Sequence, residues 1–203
     1  MNIDTSKIKT THWSELLLQM GAGSLPYQLA RNLSYDEFWR LCPNGVWLLY
    51  FIAKEGSTPA NLMIKAACQC ARLALTHIPT EELMPLNAIE TTERWLEGKA
   101  TIEEVRLAGD ISNMSINPIQ NDSNAAYAVY AVVALTKTVE CFVNDFAYAQ
   151  NISTVIFYTN FACNDLDMEN MKLKTANIIR DIIPMPTKMV QQFERLVAMK
   201  AFW

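Results

Sequence analysis

A chain of 203 residues, 51% hydrophobic and only 19% charged, has enough apolar mass for one sizeable core and no reason in its length to be divided. The net charge of −4 argues against a nucleic-acid partner, because phosphates demand a basic stripe and the 17 lysines and arginines are scattered singly. The opening MNIDTSKIKTTHW has no cationic region followed by an apolar segment and a small-residue cleavage site, so a cytoplasmic location is expected. The five cysteines, Cys42, Cys68, Cys70, Cys141 and Cys163, sit mostly in apolar helical context and are expected to be reduced and buried.

In chain order, residues 12–56 read as a set of short helices. Trp13 to Met20 carries Leu16, Leu17 and Met20 and closes at Gly21, and Ser24 with Pro26 opens a second helix. Gly21-Ala-Gly23 lacks the third glycine and the preceding strand of a phosphate-binding loop. Ser34 and Glu37 form a capping box for Tyr35 to Leu41, and Cys42-Pro-Asn-Gly45 breaks the chain before Val46 to Lys54.

Residues 58–108 form the core helical unit. Thr58 caps a helix with Pro59 at its first position, and Met63, Ala67, Cys70 and Ala74 recur at helical spacing until Pro79. A second helix starts at Pro85 and ends at Gly98, where a left-handed residue can close it, and Thr101 with Glu104 boxes the start of a third. The segment 109–124, GDISNMSINPIQNDSN, has no apolar period and reads as an exposed loop. Residues 125–184 hold the central and closing helices. Ala125 to Ala149 is apolar on nearly all sides and is expected to be one helix through the middle of the bundle, too charged from Lys137 onward to span a membrane. Ile152 to Cys163 is β-branched and aromatic like a strand, yet is assigned as helix. Asp165 or Asp167 caps Met168 to Ile183, and residues 187–203 repeat the apolar period as a C-terminal helix. The expectation is an all-α, single-domain bundle of about eight helices around a central apolar helix.

Several stretches carry a family resemblance. They are Cys68, Ala71 to Leu75, Pro79, Ala88 to Glu90, Glu93, Trp95, Gly98, Ala100-Thr101 and Glu103 to Arg106 in the core unit; Gly21, Ala30, Trp39, Cys42-Pro43 and Trp47 to Leu49 upstream; and Lys174 to Pro184 downstream. Together they resemble the Ala-rich bacterial and phage immunity proteins that accompany polymorphic toxins. Val46 departs from the acidic residue of that pattern, Gly23 from its cysteine, and the middle region is more aromatic. The resemblance implies the helical assignment of 152–163 and a protein that neutralises a toxin or defence effector by binding.

The residues themselves offer little catalytic chemistry. Two isolated histidines, His12 and His77, cannot complete a zinc site with these cysteines, and no nucleophile elbow, Walker loop or His-Glu-x-x-His motif occurs. No enzyme activity, catalytic residue, metal or cofactor is therefore expected. Arg72 and Glu93 interrupt small or apolar neighbours, so a buried guanidinium on one helix held by Glu93 or Glu90 on the next is the expected pairing. The other reading puts Arg72 in a cleft with Trp47 and Trp95, joined by Arg40 and Arg106, where it takes an acidic group from a ligand or partner. Two function classes follow. One is stoichiometric inhibition of a protein effector; the other is phage counter-defence by sequestering a small nucleotide signal in an Arg/Trp-lined pocket. Membrane partners are not expected, and homo-oligomer formation is left open. An Arg72 paired to a carboxylate favours inhibition; an Arg72 free in a deep cleft favours the nucleotide.

Overall fold

Helix ends fall largely where capping side chains, glycines and prolines dictate. A computed structural model of the chain describes residues 12–19, 23–119, 122–141, 145–164, 167–188, 190–191 and 194–195. Among these, all regular secondary structure is helical: α1 (Glu15–Gln19), α2 (Ser24–Ala30), α3 (Tyr35–Leu41), α4 (Gly45–Glu55), α5 (Ala60–Ala74), α6 (Met84–Leu96), α7 (Ile102–Met114), α8 (Ile116–Ile119), α9 (Ser123–Glu140), α10 (Asp145–Phe161) and α11 (Met168–Ile182). Among the described residues no helix is long and apolar enough to cross a membrane.

Both capping boxes form. The Glu37 amide donates to Ser34 Oγ at 3.3 Å while the Ser34 amide donates to Glu37 Oε2 at 2.8 Å, and Thr101 with Glu104 repeats the exchange at 3.2 and 2.7 Å. Gly98, just past α6, sits at φ +71, the left-handed turn that only glycine enters without strain. At α5 the expected register slips by one residue. Pro59 occupies the cap position itself and Thr58 makes no capping bond, so the helix begins at Ala60.

α5 is enclosed. It packs against α6, α9, α10 and α11, and Met63, Ile64, Ala66, Ala67, Cys68, Cys70, Ala71 and Ala74 are all buried. Small side chains let neighbouring helices approach from several directions, which leaves only Asn61, Lys65 and Gln69 exposed along one stripe. α9 packs against α5, α6, α7, α8 and α10, and α4 against α10 and α11. Between α9 and α10, Tyr127 stacks on Tyr158 with ring centres 6.1 Å apart, and one turn apart along α10 itself Phe157 meets Phe161 at 4.6 Å.

Two expectations are overturned. The segment 109–124 is not a loop for most of its length: α7 runs on to Met114, α8 follows, and Asp122 caps α9 by accepting from the Asn124 and Ala125 amides. Gly109 and Ser112 are buried because α7 lies along α9 at close range; their small size, not an apolar period, keeps the segment helical. The expected single helix from Ala125 to Ala149 is instead two, with α9 closing at Cys141 and α10 starting at Asp145. Ile152 to Phe161 is helical despite its strand-like composition, since packing against α4, α5 and α9 outweighs local propensity. Of the expected helix at 187–203, residues 188, 190–191 and 194–195 are helical; the positions not described, like those around Gly21, lie outside the described residues.

Candidate functional site

Arg72 sits in the last turn of α5 and Glu93 near the end of α6, which brings the two side chains face to face. Arg72 Nε donates to Glu93 Oε1 at 2.9 Å and Nη2 donates to Oε2 at 2.5 Å, a two-pronged contact. The Glu93 hydrogen bonds raise the guanidinium's proton affinity above its ordinary value, against a smaller opposing effect of burial. The pair is not buried as expected: the side chains are 33% and 29% exposed. The reason is helical phase, since Arg72 continues the Asn61, Lys65, Gln69 stripe at the edge of the core rather than entering it. Beneath it, Cys68 is fully buried, and burial, with Glu93 adding to it, keeps its thiol protonated.

The other expected site residues are not gathered around Arg72. Arg40 is exposed in the last turn of α3, and Arg106 pairs with Asp110 one turn on along α7 at 3.0 Å, both ends exposed. Trp95 is half-buried against the core. Trp47 lines a cavity of about 390 Å³ together with Leu17, Gly23, Ser24, Leu25, Pro26, Phe38, Val46, Tyr50 and Phe51. No charged side chain is among these lining residues. A second recess of about 300 Å³ lies where Ser34, Tyr35 and Asp36 face Thr187, Val190, Gln191 and Glu194.

Sequence reasoning missed the cavity and also missed Arg180. Val46, Trp47, Tyr50 and Phe51 share one face of α4, and that spacing is legible; that α1 and α2 supply the opposite wall is not. Arg180 on α11 donates from Nη1 to the Trp39 carbonyl at 3.0 Å and the Cys42 carbonyl at 2.8 Å, and from Nη2 to Asn177 Oδ1 at 2.7 Å. It thus closes the C-terminus of α3 with a positive charge, where the helix dipole favours one. Burial lowers its proton affinity somewhat, consistent with a guanidinium satisfied chiefly by carbonyls.

Among the described residues no group of three or more His, Cys, Asp or Glu is placed to hold a metal ion. Comparison of the chain with protein-family models, with characterised proteins and with solved structures finds no match.

Proposed function

We propose that this chain is a single-domain, non-enzymatic cytoplasmic protein, built around α9 as its central helix, that neutralises a toxin or defence effector by stoichiometric binding. The resemblance to immunity proteins suggests the class. The observation that carries the choice between the two classes is the Arg72–Glu93 pair: the guanidinium that a phosphate would need is already held by a carboxylate at 2.9 and 2.5 Å. The cavity that contains Trp47 has no cation in its lining, and Arg40 and Arg106 lie on α3 and α7 without joining Arg72. A nucleotide-sequestering pocket has little support in that arrangement.

Binding needs only a complementary surface, and a net charge of −4 favours encounter with a basic effector. The test is a titration against the toxin or effector encoded beside it. Protection should saturate at a fixed stoichiometry, and added salt should slow association more than it speeds dissociation. Protection of a large excess of effector by a trace of this protein would mean turnover and would refute the proposal. Calorimetric binding of a cyclic or linear dinucleotide, abolished by Arg72→Met, would establish the nucleotide reading in its place.

A further inference from the structure

We infer that the cavity between α4 and the α1–α2 corner is a binding site for an uncharged, largely aromatic small molecule, a role independent of effector binding. Its volume of about 390 Å³ lies within the roughly 300–1,000 Å³ typical of ligand pockets. The floor is formed by Phe38 and Phe51, each 1% exposed and fixed in the core, and one wall by Trp47 and Tyr50 on α4. Phe38 is held in place by Trp13, with ring centres 5.1 Å apart, and Phe51 by Tyr35 at 5.6 Å, so the aromatic surface is already organised.

The lining selects the ligand's chemistry. Flat rings gain most from aromatic walls, and an ionised group would lose its hydration with no opposite charge among the described lining residues to replace it. Ser24 at the mouth supplies a hydroxyl for one hydrogen bond. The cavity therefore takes a neutral compound of one or two aromatic ring systems with few polar atoms, and disfavours nucleotides, carboxylates and protonated amines.

Gly23 lines the cavity and can take a larger residue without a clash at its first side-chain carbon. Its backbone is extended at φ −65 and ψ 171, open to any residue, and a Cβ added there meets nothing within 4 Å. The probe is N-phenyl-1-naphthylamine, a neutral two-ring-system dye that brightens in apolar surroundings, compared with its sulfonated relative 1-anilinonaphthalene-8-sulfonate. The full chain should bind the neutral dye saturably at one per chain and at least tenfold more tightly than the sulfonate. Gly23→Phe should weaken neutral-dye binding at least tenfold with an unchanged melting temperature. Val46→Phe, filling the cavity from α4, should do the same, and either variant that keeps the native melting temperature decides the matter. Absence of saturable neutral-dye binding, equal binding of the sulfonate, or full binding by a folded blocking variant would each overturn the inference.

Discussion

Arg72 and Glu93 make two short charge-assisted hydrogen bonds, yet each is about a third exposed, so water can replace part of what either partner loses when the other is removed. A fully buried pair broken on one side costs about 3–5 kcal/mol, and an exposed one about 0–1 kcal/mol. Arg72→Met is expected to destabilise by an intermediate ~1–2 kcal/mol, read as a lower denaturation midpoint at constant slope. A double cycle with Glu93→Gln should recover most of that as coupling; independent, additive losses would show that the contact is not energetic. The buried thiols set the alkaline limit. Burial pushes Cys42 from its ordinary 9.0 up to about 11 and raises Cys68, Cys70 and Tyr35 as well. Below pH 9 the Cys42 thiol is neutral in both states and its burial costs nothing extra; between pH 9 and about 11 the unfolded chain ionises first. Stability should fall steadily across that window. A melting temperature flat from pH 8 to 11 would contradict the burial of these groups. On the acid side the sign reverses: the capping amides hold Glu37 and Glu104 below their usual 4.5, so their contribution is lost as pH falls beneath that value.

The helices are defined as much by small residues as by apolar ones. On α7, a Cβ added at Gly109 would come 2.8 Å from Thr136 Cβ on α9 and closer still to Thr136 Oγ1. Alanine is the better helix former by ~1 kcal/mol, but overpacking of this kind costs about 1–3 kcal/mol. Gly109→Ala should therefore destabilise, and Thr136→Ala in the same chain should restore part of the loss by removing the hydroxyl and the methyl. A Gly109→Ala protein more stable than its parent would mean that α7 and α9 are not in close contact. Gly45 at the start of α4 occupies the same kind of seam, 2.9 Å from the Thr175 carbonyl carbon of α11, and there the obstacle is backbone that cannot rotate away.

Across the whole molecule, contacts far apart in sequence join the first helices to the last. Arg180 on α11 holds the Trp39 and Cys42 carbonyls at the end of α3, and the Tyr35 hydroxyl donates to the Pro186 carbonyl. Arg180→Met should cost about 1–3 kcal/mol by leaving two carbonyls of a part-buried helix end without their charged donor. Amide exchange should rise in α3 more than in α5, because α3 depends on that donor whereas α5 is enclosed by four neighbours. Uniform loss of protection in both helices would show that Arg180 acts on global stability alone. Arg180→Lys should rescue only partly, since an ammonium cannot reproduce the planar fork that bridges the two carbonyls and Asn177.

What depends on one turn of chain was legible in the sequence. The Ser34–Glu37 and Thr101–Glu104 boxes and the Gly98 terminator could be read from residue type and spacing, because capping acts over three or four residues. The pairing of Arg72 with Glu93, 21 residues apart on neighbouring helices, was legible for another reason, that a guanidinium among small and apolar neighbours needs a carboxylate. What depends on close approach between helices was not. GDISNM reads as a loop by composition and folds as helix because Gly109 and Ser112 fit against α9, a partner some 27 residues away at Thr136. The α1–α2–α4 cavity, the Arg180 clamp and the partial exposure of Arg72 likewise follow from which helix faces meet, and that choice is made by the summed packing of the core rather than by any local run of residues.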